Sequence, residues 1–202
     1  TPLNGKTPCP LFGDGNFLIP SANISTDMFL RIEPLRSAGT TTVALTIDSH
    51  KEPGHSRQII ASKKAGGNTK GRIVLAAHMD SKYDTPGALD NAAGVAVLLE
   101  TAAAIKATEY DVDIVPFNTE EYYGANGELE YLRRTGEDSI ALMVNMDSPC
   151  HIGSQTAVSF YNFTDELQAI ADKKIESNPV IVKGNAWYAG DHAPFLFRGI
   201  PC

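Results

Sequence analysis

From residue 72 onward, short apolar runs alternate with longer segments in which apolar residues recur every three or four positions. Short apolar runs predict buried strands, and the longer periodic segments predict helices. The predicted elements are strand 73–77, helix 91–107, strand 113–117, helix 126–134, strand 140–144, strand 157–163, helix 165–175, a short apolar run at 179–182 and helix 192–197. This alternation is typical of a mostly parallel sheet covered by helices.

The pattern before residue 72 is weaker. Residues 1–40 are rich in proline and glycine and contain only short apolar pieces, so they predict an N-terminal segment separate from a main domain at 41–202. A helix is predicted at 26–35, with Ser25 or Thr26 as its cap. Two β-branched runs predict strands at 41–47 and 57–62, and residues 63–71 predict an exposed turn.

Composition narrows the class of protein. The 202 residues are enough for one sizeable core, and a net charge of -7 without a basic stripe argues against a nucleic-acid partner. No apolar stretch is long enough to predict a membrane span. The chain starts at Thr1 without a basic-then-apolar signal pattern, which indicates a processed product or a fragment. Three cysteines leave at least one unpaired within the chain and favour a cytoplasmic over a secreted location. The oligomeric state stays open.

Acids and a histidine follow three successive predicted strands. His78 and Asp80 come directly after the first strand, Glu120 and Glu121 after the second, and Asp147 after the third. In an open α/β sheet, ligands gather at the carboxyl ends of the strands. We therefore expect these side chains to lie at one edge of the sheet.

Imidazole nitrogen and carboxylate oxygen together are a donor set that zinc accepts. With His192 in a glycine-containing loop and Asp90 at a predicted helix start, two histidines and three carboxylates could hold two metals if one carboxylate bridges. Asp90 suits the bridge, because a helix N-terminus favours negative charge. One member of the Glu120-Glu121 pair can then bind metal while the other acts as general base. Asp80, two residues past the first histidine, can orient that imidazole.

Each of these residues also has an ordinary interpretation. A single histidine is usually a surface or core group, adjacent glutamates often form a solvated turn, and Asp90 or Asp147 could be a helix cap. Their joint placement at strand ends favours the metal site over these separate coincidences. His50, His55 and His151 lack that context, although His151 lies close to Asp147 in sequence. No nucleophile elbow, P-loop or dinucleotide-binding motif is present.

Four separated motifs carry a family resemblance over about residues 71–201. They are HMDSKYDTPGALDNAAGVAVLLE, NTEEYYGANGE, VNMDS and GDHAPFLFRGIP. In this order they resemble the co-catalytic zinc aminopeptidases, the family that includes bacterial leucyl aminopeptidases and glutamate carboxypeptidase II. The resemblance implies a three-layer αβα sandwich with a mostly parallel central sheet.

The resemblance also implies two Zn²⁺ ions and a role for each site residue. The positions that correspond to zinc ligands are His78, Asp90, Glu121, Asp147 and His192. Asp90 would bridge, with His78 and Asp147 on one ion. Glu121 and His192 would complete the other. Glu120 is similar to the family's general base and Asp80 to its orienting acid, and a non-proline cis peptide is expected after Asp90.

The chain departs from the family pattern in two places. Several members have a tyrosine before the final histidine, where it stabilises the oxyanion; here Asp191 occupies that position, and Tyr188 or a zinc ion would take over the role. Relatives continue beyond the Gly-Ile-Pro sequence, whereas this chain stops at Cys202, so the usual C-terminal part is expected to be lacking. Residues 9–35 resemble the end of a protease-associated insert, which would make the 1–40 segment its remnant.

The resemblance implies an aminopeptidase that hydrolyses the N-terminal bond of a peptide substrate. Three alternatives stay open: a glutaminyl cyclase-like enzyme with one zinc, a carboxypeptidase-like specificity, and a catalytically silent binding domain. Candidate walls of the substrate pocket are Leu89, Tyr122, Tyr123, Trp187 and Tyr188.

Overall fold

The computed structural model describes residues 24–39, 41–48, 50, 52–82, 85–106, 108–122 and 126–202. Its helices and strands are α1 Thr26–Ser37, β1 Ala61–Lys63, β2 Arg72–His78, α2 Gly94–Ala104, β3 Asp111–Phe117, α3 Asn126–Thr135, β4 Ile140–Asn145, β5 Thr156–Val158, α4 Asp165–Glu176, β6 Ile181–Lys183 and α5 Ala193–Leu196. A distorted turn at Ala88–Ala93 precedes α2, and a short 3₁₀ turn at Glu120–Tyr122 follows β3. No helix in the described ranges is long and apolar enough to cross a membrane.

The main sheet has the strand order β1-β3-β2-β4. The central strand β2 pairs in parallel with both β3 and β4, and only β1 is antiparallel to its neighbour. A second, two-stranded parallel sheet joins β5 and β6. The fold is thus α/β with a mixed, mostly parallel sheet, as the alternation of strands and helices predicts.

Alternate residues of β2 face opposite sides of the sheet. Val74 and Ala76 belong to a core cluster that includes residues of α3 and α5. Leu75 and Ala77 belong to a second cluster with Leu98 of α2. Because β2 is buried on both faces, its sequence is a continuous apolar run and not an alternating one.

Three aromatic rings connect the strand ends to the short helix α5. The centroid of Phe117, at the end of β3, lies 5.9 Å from that of Tyr131 in α3 and 6.1 Å from that of Phe195 in α5. The centroids of Tyr131 and Phe195 are 6.2 Å apart, and all three side chains are fully buried. This cluster fixes the loop that carries Asp191 and His192 against the main sheet.

The predicted strand at 41–47 is wrong. Residues 41–48 form no helix or strand, and Val43 and Ile47 are 73% and 52% exposed. A β-branched sequence forms a stable strand only where it packs against a neighbour, and this segment has none in the described part of the chain. In the region predicted as a strand at 57–62, the observed strand begins only at Ala61. In the region predicted as a strand at 157–163, the observed strand covers only Thr156–Val158.

The other predicted elements agree with the structure to within a few residues. Helix α1 begins after Ser25, one of the two predicted caps, whose hydroxyl accepts a hydrogen bond from the backbone N–H of Met28. Helix α2 starts at Gly94, three residues later than predicted. Pro116 is tolerated inside β3 because β1 pairs with β3 only over Val112 to Ile114, so this end of β3 lies at the sheet edge.

Phe195 and Phe197 provide a matched test of the aromatic cluster, because they lie on the same short segment and differ in burial. Replacing Phe195, which is fully buried, by alanine should lower the free energy of unfolding by about 3–5 kcal/mol, through lost apolar contact and a residual cavity. Phe197→Ala, at a side chain that is 71% exposed, should change it by less than about 0.5 kcal/mol. Urea unfolding curves of the two variants measure this difference. Equal effects would contradict the packing described above.

Candidate metal centre

The imidazole of His78 lies at the centre of the carboxyl edge of the sheet. His78 is the last residue of β2 and only 1% exposed. Its Nδ1–H donates to the backbone carbonyl oxygen of Asp80 at 3.0 Å, which directs Nε2 to the opposite side. There Nε2 lies 3.0 Å from an Asp90 carboxylate oxygen and 3.5 Å from one of Asp147.

His78, Asp90 and Asp147 form a compact set of potential metal ligands. One donor atom from each residue lies within 4.8 Å of the other two. The imidazole is buried, whereas the two carboxylates are open to solvent on one side, which leaves an entry path for an ion. A nitrogen and two carboxylate oxygens fit zinc, which accepts both donor types.

The charges around His78 indicate that a cation belongs at this position. Burial disfavours a charged imidazole, yet the hydrogen bond to Asp147 and the charges of Glu120 and Asp147 raise the pKa of His78 to about 9. The hydrogen bond to His78 in turn holds the pKa of Asp147 below its ordinary value. Metal binding displaces the proton from such a ligand, so a divalent ion and the Nε2 proton are alternatives for the same place.

Asn91 ties together the two segments that carry Asp90 and Asp147. Its Nδ2 donates to the carbonyl oxygen of Met146 at 2.9 Å, and its Oδ1 accepts from the backbone N–H groups of Gly94 and Ser148. A Cβ at Gly94 would lie 2.1 Å from Asn91 Oδ1, so only glycine permits this approach. The expected cis peptide between Asp90 and Asn91 is confirmed.

Asp80 connects His78 to the pair of glutamates. Its carboxylate oxygens accept hydrogen bonds from the backbone N–H groups of Glu120 and Glu121, with N···O distances of 3.2 Å each. Its closest contact to the imidazole is through the carbonyl oxygen, since the carboxylate lies 3.9 Å from Nδ1. Asp80 thus holds both the imidazole and the backbone of the 3₁₀ turn.

Glu120 is suited to proton transfer. Burial raises its pKa to about 7; His78 opposes this effect, while the nearby carboxylates of Glu121, Asp147 and Asp80 reinforce it. A carboxylate that titrates near neutral pH can both accept and return a proton under physiological conditions.

Glu121 and His192 make other contacts in this structure. The Glu121 carboxylate forms an ion pair with the Lys82 ammonium at 2.8 Å. His192 Nε2 donates to the carbonyl oxygen of Trp187 at 2.7 Å, and its ring stacks on Tyr161 with centroids 5.1 Å apart. The structure therefore brings three of the five predicted ligands together and engages the other two elsewhere. His151, the other histidine close to Asp147 in sequence, is exposed and does not belong to the ligand group of His78, Asp90 and Asp147.

A cavity of about 330 Å³ opens beside Asp147, with Pro149, Tyr161 and Trp187 among its walls. Of the predicted pocket residues, Trp187 lines this cavity. Tyr188 is largely exposed and packs edge-on against Tyr161, and Leu89 does not line the cavity. The side chain of Tyr122 and all of Tyr123 lie outside the described residues.

Two further acids lie close to the centre, and neither of them follows a predicted strand. Glu128 and Asp191 are each 1% exposed, and no N–H or hydroxyl group of another described residue donates to any of their four carboxylate oxygens, so the two carboxyl groups face each other. Burial raises the pKa of Asp191 well above its ordinary value, and a hydrogen bond to Glu128 together with the negative charge of Glu128 raises it further. The sequence did contain a signal, because Glu128 falls on the buried stripe of α3 with Tyr131 and Leu132.

The acid pair predicts how stability depends on pH. Folded Asp191 keeps its proton above pH ~4 while the unfolded chain loses it, so this residue makes unfolding easier as pH rises from about 4. Glu128→Gln should remove the neighbouring negative charge, so the free energy of unfolding should fall less steeply as the pH rises. Between pH 4 and pH 7 we expect the free energy of unfolding of the variant to rise by about 1 kcal/mol or more relative to that of the wild type. Urea unfolding with a chelator present measures this, and Glu100→Gln on the exposed face of α2 is the control. Parallel pH curves for wild type and Glu128→Gln would contradict the account.

Known proteins with similar sequences are peptidases. Residues 58–202 match the model described as Peptidase family M28. A Mycobacterium tuberculosis protein named probable lipoprotein aminopeptidase LpqL is 34% identical over 116 residues, which are 54% of this chain and 22% of that protein. The chain thus spans about a fifth of that relative's length.

Two solved structures share the fold. An aminopeptidase from Aneurinibacillus sp. strain AM-1 superimposes with a TM-score of 0.60 at 28% identity, over 71% of this chain and 37% of that one. A glutaminyl cyclase from Porphyromonas gingivalis gives a TM-score of 0.56 at 26% identity, over 72% of this chain and 61% of that one. Because the family match covers well over half of the sequence, the chain belongs to peptidase family M28.

Proposed function

We propose that this protein is a zinc-dependent aminopeptidase that hydrolyses the N-terminal peptide bond of peptides. The observation that carries the proposal is the convergence of His78, Asp90 and Asp147, with Glu120 beside them at a pKa of about 7. The family and the aminopeptidase names of the relatives support the same reaction class. The three-layer zinc exopeptidase domain at 41–202 is the fold that this function implies.

Zinc held by His78, Asp90 and Asp147 would polarise the scissile carbonyl and make water more acidic. Glu120 takes a proton from the attacking water, whose hydroxyl adds to the carbonyl carbon. Glu120 then gives that proton to the amine as the carbon–nitrogen bond breaks. The products are a free amino acid and a peptide shortened by one residue.

Other residues of the chain hold these groups in position. Asp80 fixes the His78 imidazole through its carbonyl oxygen and the Glu120 backbone through its carboxylate. Asn91 sets the spacing between the Asp90 and Asp147 segments. In this proposal the cavity beside Asp147 receives part of the peptide.

The family resemblance implies a second Zn²⁺ ion on Glu121 and His192, with Asp90 between the two ions. The chemistry of these side chains suits zinc, but their present contacts are with Lys82 and Trp187. The proposed reaction therefore depends on the ion that His78, Asp90 and Asp147 would hold.

A glutaminyl cyclase is the second candidate, favoured by the structural match to such an enzyme and by a single compact ligand group. The two functions differ in product. An aminopeptidase releases free amino acid and adds water, whereas a cyclase releases ammonia from N-terminal glutamine. A carboxypeptidase would instead act at the other end of the peptide, and a silent binding domain would release nothing.

Glu120→Gln tests the proposed function. The amide cannot accept the proton, so turnover of aminoacyl anilides should fall by about 10²–10⁴-fold while zinc content is unchanged. Glu100→Gln, at an exposed position on α2, is the matched control and should retain full activity. A chelator should abolish turnover in the wild type.

The same assay includes an N-terminal glutamine peptide and a peptide with a blocked amino end. Ammonia release from the first would favour the cyclase, and cleavage of the second at its carboxyl end would favour a carboxypeptidase. Full peptidase activity in zinc-replete Glu120→Gln would overturn the assignment of the base.

A further inference from the structure

A second cavity, of about 400 Å³, opens beside Glu120, between the first turns of α3 and the short helix α5. Leu129 of α3 and Phe197, just after α5, are among its walls. The Glu120 carboxylate faces another wall residue, Gly190, because a Cβ built on that glycine would lie 3.9 Å from Glu120 Oε1. Glu120 does not line the cavity beside Asp147. The two spaces are called the Glu120 cavity and the Asp147 cavity below.

Two apolar walls of the Glu120 cavity are open to solvent. Phe197 is 71% exposed and Leu129 is 43% exposed. Neither side chain belongs to the apolar core clusters of the described residues. Single exposed apolar side chains are common on proteins, but these two flank one cavity beside the proposed base. A ligand that covered them would gain free energy from the burial of apolar surface.

The other charged residues that line the Glu120 cavity already have partners. Arg198 Nε lies 2.9 Å from a carboxylate oxygen of Glu137. Glu128 is only 1% exposed, and its carboxyl group faces that of Asp191. The apolar walls therefore decide which side chains the cavity favours.

The proposed reaction determines which part of a peptide lies at the Glu120 cavity. Glu120 returns a proton to the leaving nitrogen, so that nitrogen must come within hydrogen-bond reach of its carboxylate. The leaving nitrogen belongs to the second residue of the peptide, and the second side chain branches from the carbon atom next to it. The second side chain therefore lies on the Glu120 side of the scissile bond.

We propose that the Glu120 cavity binds the side chain of the second residue of the substrate, and that Phe197 and Leu129 favour a large apolar residue there. This inference rests on the proposed function and adds a specificity site to it. The volume of the cavity is within the range of small-molecule sites in proteins. The Asp147 cavity, with Trp187 among its walls, then receives the side chain of the N-terminal residue.

Peptides that differ only in their second residue test the inference. The zinc-loaded protein is assayed with leucyl-glycinamide, leucyl-alaninamide, leucyl-leucinamide and leucyl-phenylalaninamide, whose blocked carboxyl ends carry no charge for Arg198 to attract. For the wild type, we expect kcat/KM for the leucinamide and phenylalaninamide peptides to exceed that for the glycinamide peptide by about tenfold or more. Burial of a large apolar side chain in an apolar pocket gives discrimination of this size.

Two variants of the cavity walls test the assignment of the residues. Phe197→Ala should reduce the ratio of kcat/KM between the phenylalaninamide and glycinamide peptides by about tenfold, and Leu129→Ala should reduce it in the same direction. Phe29→Ala is the matched control, because Phe29 on α1 is 49% exposed and does not line the cavity; it should keep the wild-type ratio. Far-ultraviolet circular dichroism checks that each variant is folded.

Binding without turnover provides a second measurement. In Glu120→Gln the peptide stays largely intact, so isothermal titration calorimetry gives the affinities for leucyl-phenylalaninamide and leucyl-glycinamide. We expect the first to bind about tenfold more tightly. Adding Phe197→Ala to this variant should remove most of the difference.

The results separate the cavity from the reaction. Equal kcat/KM for all second residues in the wild type would overturn the inference, as would a ratio that Phe197→Ala and Leu129→Ala leave unchanged. If Phe197→Ala instead altered the preference between alanyl-leucinamide and phenylalanyl-leucinamide, the cavity would bind the first side chain and the inference would be wrong.

Failure of the proposed function gives a different result. If no peptide is hydrolysed but the calorimetric preference is present and depends on Phe197, the peptidase reaction is refuted and the cavity assignment stands. If the peptides are neither hydrolysed nor bound, both are overturned.

Discussion

Parallel pairing of β2 with both β3 and β4 is the constraint on which the candidate site depends. The register places the end of β2 beside the ends of both neighbours, so the residues that follow the three strands meet at one edge. His78 closes β2, Glu120 follows β3 and Asp147 follows β4. An apolar core on each face of the sheet holds this arrangement, and the aromatic cluster around Phe195 joins the last loop to it.

The site concentrates negative charge that the fold alone only partly balances. The carboxylates around the imidazole raise the pKa of His78 to about 9, against the effect of its burial. Burial raises the pKa of Glu120 to about 7, and the neighbouring carboxylates reinforce this rise. Backbone strain occurs at the same place: Thr119, directly before Glu120, has φ +80°, and Ser148, directly after Asp147, has φ +47°. Such conformations cost on the order of 1–3 kcal/mol each and persist where the surrounding structure fixes them, often at functional sites. Charge and strain at one edge both support a cation-binding role.

The sequence predicts the framework of the site better than its contacts. His78 and Asp147 could be placed together because they follow strands of one parallel sheet, and that inference needs only the order of the elements. The partners of Glu121 and His192 could not be foreseen, because they depend on side-chain rotamers and on Lys82 and the Trp187 carbonyl oxygen nearby. The segment 41–47 shows the opposite error, since β-branched residues predict a strand even where no neighbour pairs with it.

A crystal grown with zinc and measured at the zinc absorption edge shows whether His78, Asp90 and Asp147 hold the ion. The anomalous difference map shows the ion itself, independent of catalytic assays and of assumptions about protonation. We expect a strong peak within about 2.0–2.2 Å of His78 Nε2 and of one oxygen each from Asp90 and Asp147. A well-ordered crystal without a peak at these residues, or with its main peak at another part of the molecule, would contradict zinc binding by His78, Asp90 and Asp147.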